Sequence, residues 1–293
     1  MPELRIRRTL LLTPGHQVTR LAKAVSLAVD AVAFDLEDGV PPSAKGDARR
    51  AVASGLRSLP FGRRERVVRV NAVGTTDLVE DLRALPLEAL DSLFIPKVRS
   101  AADVRMLELL LRGYEAAAHR PAPLPLILTI ETAEGLSHAA SIATASPRAA
   151  ALFFGSGDYA ADTGCALTPE ALHVPRSLIA AAAAAAKLQA IDAAFFRDVR
   201  DAAATRADAS AARALGFSGK VVFHPNQVEP VNAVFTPTPD EVARARGVVA
   251  AYEAALARGD GVVLAEGAFV SIDTVLIMRR VLAAAAHAGV PGA

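Results

Sequence analysis

The chain alternates short, nearly unbroken apolar runs with longer stretches that are amphipathic or mostly alanine. The apolar runs are LLLT (10–13), AVAFDL (31–36), RVVRV (66–70), SLFIPKV (92–98), LILTI (126–130), ALFF (151–154), AIDA (190–193) and VVFH (221–224). Strands so uniformly apolar belong in a parallel sheet covered on both faces. Helical segments are predicted at 16–28, 76–84, 101–118, 169–187 and 203–215. Eight strands alternating with helices predict an α/β fold, a TIM (β/α)8 barrel, over residues 1–230. A doubly wound open sheet is the alternative. Against it, GSGDYA (155–160) lacks the third glycine of a dinucleotide-binding loop and would point Asp158 towards a phosphate.

After the eighth run the texture changes. NQVEPVNAVFTPTPDE (226–241) is rich in proline and asparagine and reads as a linker. Thr238-Pro239-Asp240-Glu241 then opens a helix, with proline in the first turn and acids near the positive end of the dipole. FVSIDTVLIMRRVLAAAA (269–286) reads as a final helix. Residues 231–293 are therefore expected to form a short C-terminal helical extension, packed on the barrel or on a neighbouring subunit.

Composition narrows the function classes. Of 293 residues, 52% are hydrophobic and 22% charged, ample for one large core. The 32 basic and 31 acidic residues leave a net charge of +1, and aromatics make up 5% with no Trp. Neither bulk electrostatics nor stacking predicts a nucleic-acid partner. Cys165 is the single cysteine, which excludes an intrachain disulfide or a cysteine-based zinc cage and suits a reducing cytoplasm. The first apolar run stops at Pro14, too short for a signal peptide. LIAAAAAAA (178–186) stops at Lys187, short of the roughly 20 residues a membrane helix needs. The expectation is a cytoplasmic protein with no membrane partner.

In a TIM barrel the chemistry sits where strands end and βα loops begin. Those positions hold Pro14, Gly15, Asp35, Glu37, Asp38, Arg69, Asn71, Lys97, Glu131, Asp158 and His224. Charged side chains are rarely buried unless paired or bound to something. Glu131 and Asp158 follow the fifth and sixth strands, and adjacent strands lie about 5 Å apart, so the two carboxylates can reach one ion. Two hard oxygen donors without His or Cys suit Mg²⁺ or Mn²⁺. A salt bridge from Glu131 to Arg69 or Lys97 is the alternative. Glu134 reads as an early-helix residue facing solvent. The glycines of FFGSGDYAADTG permit close backbone approach to a phosphate or simply shape a loop. Asp273, in SIDTVLI, reads as a capping or solvated acid.

The motifs RTLLLTPG, AVAFDLEDGVPPSAKGDAR, RVN, IPKV, ILTIET, FFGSGDYAADTG and GFSGKVVFHPNQ, in this order, resemble those of the HpcH/HpaI aldolase and citrate lyase superfamily, in its citrate lyase β-subunit-like branch. The resemblance runs from about Arg8 to Gln227 and continues weakly to Asp273. It implies a TIM barrel that makes or breaks carbon–carbon bonds in acyl-CoA substrates with Mg²⁺. By the matching positions, Glu131 and Asp158 are the implied metal ligands and Arg69 the implied contact to substrate oxygens. Asp38 is implied to orient Arg69 or a metal-bound water. Arg8, Pro14, Gly15, Lys45, Gly157 and His224 are implied near the substrate or the CoA chain. Asp273 matches an acid that exchanges a proton with the acetyl carbon in malate synthase-like relatives. Gly-Ser-Gly-Asp in place of the commoner Gly-Ala-Glu-Asp, and Glu-Gly-Ala-Phe-Val-Ser-Ile-Asp before Asp273, depart from the family pattern.

The implied activity is cleavage of a 3-hydroxyacyl-CoA of citramalyl, malyl or citryl type to acetyl-CoA and a 2-oxoacid. Malate synthase or malyl-CoA thioesterase activity, class II pyruvate aldol chemistry, and a carrier-dependent citrate lyase subunit with an acyl-carrier partner are the alternatives. The resemblance further implies a homotrimer or a multiple of one.

Overall fold

Eight strands lie side by side in chain order, each parallel to the next, and the last pairs with the first to close a barrel. They are β1 (Thr9–Pro14), β2 (Ala31–Asp35), β3 (Glu65–Arg69), β4 (Ser92–Ile95), β5 (Leu126–Ile130), β6 (Ala149–Phe154), β7 (Gln189–Ala193) and β8 (Gly219–Val222). The helices of this part are α1 (Val18–Ala24), α2 (Lys45–Ser58), α3 (Thr76–Ala84), α4 (Ala101–Ala117), α5 (Ala133–Ser137), α6 (Ala139–Ala143), α7 (Ser156–Thr163), α8 (Pro169–Ala185) and α9 (Ala202–Ala214). The computed structural model describes residues 5–194, 197–265 and 267–292. Closure removes the open sheet as an alternative. All eight expected strands are present, although the eighth ends at Val222, so His224 lies in the loop beyond it.

Alternate residues of the strands fill the barrel: Leu10, Leu12, Ala31, Ala33, Val67, Phe94, Ile127, Ala151, Phe153, Ile191, Ala193 and Val221 form one buried cluster. Phe94 and Phe153 meet edge to face at 5.1 Å, the preferred geometry for aromatic rings. The residues between them point outward to the helices. There, Lys220 is fully buried on β8, with Nζ 2.6 Å from both Asp192 and Asp208. Arg176 of α8 joins the same two carboxylates at 2.9 and 2.7 Å. Two cations against two anions make a buried charge group tolerable. At the strands' N-terminal end, Arg7 donates to both oxygens of Glu65 at 2.6 and 2.8 Å. Helix starts follow their local chemistry: Ser100 and Asp103 form a reciprocal cap on α4, and Thr168 caps α8 ahead of Pro169.

The chain divides into two compact units, Met1–Asn232 and Ala233–Ala293. The division falls within α10 (Val228–Phe235), a helix where the proline- and asparagine-rich composition reads as a linker. Pro230 occupies the first turn of α10, where its missing N–H breaks no helical hydrogen bond, so the proline starts the helix instead of stopping it. The second unit continues with α11 (Pro239–Ala257), capped by Thr238 and Glu241 as the sequence indicates. An antiparallel hairpin follows, β9 (Val263–Ala265) and β10 (Ala268–Val270), before α12 (Ile272–Ala288). Phe269 and Val270, read as helical, belong to that hairpin. Val248, Tyr252, Val270 and Val275 form the unit's own core. Among the described residues no helix is long and apolar enough to cross a membrane.

Gly219 sits on the seam where β8 closes onto β1, and a β-carbon there would overlap the Arg7 carbonyl. Gly219→Ala is expected to lower stability in urea unfolding by about 1–3 kcal/mol. Gly113→Ala, inside α4 with nothing within 4 Å, should instead raise it by up to about 1 kcal/mol.

Candidate active site

Strand alternation decides which polar residues meet. Leu12, Ala33, Val67 and Ile127 all face the barrel interior. Stepping onward by two along the same strands reaches Pro14, Asp35, Arg69 and, past Thr129, Glu131. These residues therefore emerge together above the apolar core, at the strands' C-terminal ends.

Arg69 is held by Asp35. Its Nε and Nη2 donate to the two carboxylate oxygens at 2.7 and 2.8 Å, a bidentate pair that fixes the guanidinium plane. Asp35 also accepts from the Glu37 and Gly39 backbone N–H groups at 2.9 and 3.0 Å. A β-carbon at Gly39 would overlap this carboxylate, which accounts for the glycine. Glu37 is buried and bends back, 3.3 Å from Arg69 Nη1 and 2.8 Å from Lys97 Nζ. Lys97 Nζ also meets Asp38 at 2.9 Å. Burial disfavours the Arg69 charge, but the hydrogen bonds and charge of Asp35, followed by Glu37 and Glu131, outweigh it and raise its pKa. Burial likewise opposes the Lys97 charge, and Asp38 and Glu37 reverse the effect. Both residues are permanent cations.

Glu131 follows β5 and is only 2% exposed. The Lys97 backbone N–H donates to its Oε1 at 2.6 Å. To aim that N–H, Lys97 takes a left-handed φ of 54°, uncommon outside glycine. On the other side, a β-carbon at Gly155 would lie 2.5 Å from Glu131 Oε2. Asp158, exposed in the first turn of α7, brings its carboxyl within hydrogen-bonding reach of Glu131. Burial first, then the negative charge of Asp158 and a smaller contribution from Glu37, push Glu131 up to about 8 against the lowering effect of the Lys97 N–H. The sequence alternative of a salt bridge to Arg69 or Lys97 gives way to this arrangement. Those cations go to Asp35, Glu37 and Asp38, and Lys97 meets Glu131 through its peptide N–H. Glu134 is exposed on α5 as expected.

Two crowded carboxylates beside cations already paired with Asp35, Glu37 and Asp38 can bind a hard divalent ion. Among the described residues no group of three or more His, Cys, Asp or Glu is arranged to hold a metal. Two protein oxygens, with water and substrate completing the shell, are what Mg²⁺ commonly takes. Beside the β1 end lies a cavity of about 290 Å³ lined by Pro14, Phe223, His224, Arg20 and Lys23. Gly15 closes its backbone onto Asp35, with N donating to the carbonyl at 2.8 Å. His224 caps a short 3-10 turn and accepts from the Asn226 N–H at 3.2 Å.

Arg8 precedes β1 and so stands at the opposite end of the barrel, where its backbone N, Nε and Nη2 donate to Asp30 at 2.8, 2.9 and 2.7 Å. Lys45 donates to the Leu36 and Glu37 carbonyls and to Asn71 at 2.6, 2.9 and 2.7 Å, binding the ends of β2 and β3 together. Its three N–H donors are all engaged within the fold, so in this structure it braces the two strand ends. Asp38 holds Lys97; the residue that orients Arg69 is Asp35, which sequence reasoning named among the strand-end acids without a role. Gly157 lies in the first turn of α7. Asp273 is in the second unit, exposed at the start of α12, where the Ser271 hydroxyl donates to it and lowers its pKa. Arg20 and Lys23, which also line the cavity at the β1 end, lie on α1 and not at a strand tip, so a reading of strand tips does not reach them.

Comparison with known proteins follows this geometry. The model of the HpcH/HpaI aldolase/citrate lyase family matches residues 8–225. The chain is 37% identical over 280 residues to a (3S)-malyl-CoA thioesterase of Cereibacter sphaeroides, covering 95% of this chain and 94% of that protein. It is 34% identical over 296 residues to an L-malyl-CoA/beta-methylmalyl-CoA lyase of the same organism, covering 94% and 93%. Among solved structures it is similar to CitE of Mycobacterium tuberculosis in complex with magnesium, acetoacetate and coenzyme A. That match has a TM-score of 0.77 and 31% identity, over 97% of this chain and 100% of the other. With a matched model over most of its length and relatives aligned almost end to end, the chain is an enzyme of the HpcH/HpaI aldolase/citrate lyase family.

Proposed function

We propose that the protein is a Mg²⁺-dependent carbon–carbon lyase that cleaves a 3-hydroxyacyl-CoA of citramalyl, malyl or citryl type into acetyl-CoA and a 2-oxoacid. The observation that carries this reading is the convergence of Glu131 and Asp158 beside an Arg69 already oriented by Asp35. Glu131 and Asp158 are the residues that would hold the ion, and their mutual repulsion is the strain a cation would relieve. Bound there, Mg²⁺ or Mn²⁺ supplies Lewis-acid charge to the substrate's carboxylate and hydroxyl oxygens.

The chain's own residues do the remainder. Arg69 would face the substrate hydroxyl oxygen, on which charge grows as its proton leaves to water. When the carbon–carbon bond breaks, that oxygen becomes the carbonyl of the 2-oxoacid and the electron pair passes to the acetyl-CoA enolate, which takes up a proton. A preorganised donor of this kind lowers the barrier by about 3 kcal/mol. Asp35 and Glu37 keep the guanidinium in place, and Lys97 offsets part of their negative charge. The cavity at Pro14 and His224 would take the CoA chain, with Arg20 and Lys23 at its wall for the phosphates. Similarity to a (3S)-malyl-CoA thioesterase favours a second reading, in which the same residues direct water to the thioester.

A panel of 3-hydroxyacyl-CoAs with and without Mg²⁺ tests the first reading. Acetyl-CoA and a 2-oxoacid should appear in equal amounts with one member and vanish with EDTA. Free CoA with an intact hydroxydiacid would select the thioesterase instead. Glu131→Ala should reduce turnover at least about 100-fold, and undiminished turnover and Mg²⁺ affinity in that variant would refute the metal assignment.

The pH dependence of stability gives a readout independent of turnover. Unfolded, Glu131 loses its proton near its ordinary value of 4.5; folded and metal-free, it keeps it to about 8. The folded state therefore binds more protons across that window, and its stability falls as pH rises from about 4.5 to about 8. Mg²⁺ takes the proton's place, so its stabilising effect should grow over the same range. Thermal melts with and without Mg²⁺ should diverge with pH in the wild type, and the divergence should disappear in Glu131→Gln.

A further inference from the structure

A second charged cavity, of about 600 Å³, lies at the strands' N-terminal end. Arg5, Arg57, Arg63, Arg64 and Arg66 line it, and Asp91 is the acid among its lining residues. The sequence explains the concentration. FGRRER (61–66) turns sharply into β3 through Gly62, whose φ of +58° is left-handed, and so presents Arg63 and Arg64 on the turn and Arg66 at the strand's first positions. Arg66 and Arg69 are near opposite ends of β3, which separates this cavity from the carboxylate pair.

Its pairing is unlike that of the other inward-turned arginines. Arg7, Arg8, Arg69, Arg148 and Arg176 each meet a carboxylate at 2.6 or 2.7 Å. Around this cavity, Arg57 stands 3.7 Å from Glu88, and Arg5 stands 3.8 and 3.9 Å from Glu65 and Asp91, all beyond hydrogen-bond length. Asp91 is already committed to Arg66, accepting from its backbone N, Nε and Nη2 at 2.9, 3.1 and 3.2 Å. Arg64 turns Nε and Nη1 onto the Leu27 and Phe61 carbonyls, which engage two of its five N–H donors and leave its charge unpaired. Arg63 is exposed, with no partner among the described residues. Five cations thus share one acid at the lining, and guanidinium forks left open are the geometry that receives phosphate.

We infer that this cavity is a binding site for a compact polyphosphate anion, a diphosphate or triphosphate group held chiefly by Arg63 and Arg57 with Arg5, Arg64 and Arg66 around it. The volume falls in the range of roughly 300–1,000 Å³ usual for small-molecule sites. A local, open concavity on a chain of net charge +1 favours a small anion over a nucleic-acid backbone, which needs an extended basic face. The site stands independently of the lyase reading.

Isothermal titration with pyrophosphate, in Mg²⁺-free buffer at about 0.1 M salt, tests it. One site should bind, and Arg63→Ala and Arg57→Ala should each weaken it at least about tenfold, with Arg63→Glu weaker still. Both arginines are exposed, so unchanged melting temperatures are expected and would exclude misfolding. Arg20→Ala, in the cavity at Pro14 and His224, should leave this affinity unchanged. ATP should compete with pyrophosphate. Absence of pyrophosphate binding, affinity indifferent to Arg57 and Arg63, or loss on Arg20→Ala alone would overturn the assignment. So would a short RNA that binds more tightly than pyrophosphate through the same two arginines.

Discussion

Closing eight parallel strands on themselves fixes which side of every strand faces inward, and the site inherits its membership from that constraint. The interior takes alternate residues, and as long as those are apolar the barrel is a packed core. Where the strands run out, the same alternation continues for one or two more steps in Asp35, Arg69 and Glu131. Residues distant in sequence become neighbours because each is next in an inward series. No loop needs to fold over to bring them together.

The charges so gathered are balanced unevenly. Around Arg69 the acids and cations are interleaved, with Asp35 and Glu37 on the arginine and Glu37 and Asp38 on Lys97. Around Glu131 the balance fails, because its neighbours with formal charge include Asp158 and Glu37 and its firm hydrogen bond comes from a neutral peptide. Well-paired charges hold geometry, whereas the poorly paired carboxylates leave the site with an affinity for something positive. The basic cavity at the barrel's other end is the mirror case: there it is the guanidiniums that exceed their acids.

The strands were legible because burial on both faces leaves a plain signal, and the carboxylate pair was legible because an acid at the tip of LILTI has little reason to be there otherwise. Orientation was harder. DLED places three acids within four residues; the resemblance implies Asp38 as the one that orients Arg69 or a metal-bound water, whereas Asp35, in the inward series of Ala31 and Ala33, is the one that holds Arg69. Arg8 resembles a residue near the ligand, but one position before β1 it belongs to the far end of the barrel. Lys45 has a ligand-binding residue's charge and a structural residue's contacts, a difference carried entirely by three acceptors that no linear pattern displays. In α10, composition outweighed position, since a proline in a first turn reads in sequence like a breaker.

Lys97 connects the two halves of the site through a single residue. Its ammonium is shared by Glu37 and Asp38, and its peptide N–H by Glu131, on a backbone conformation that most residues avoid. Any replacement that cannot hold a left-handed φ, a β-branched residue above all, must therefore release the peptide donor of Glu131 as well as the cation between Glu37 and Asp38. Two contacts on different strands' ends depend on one backbone torsion.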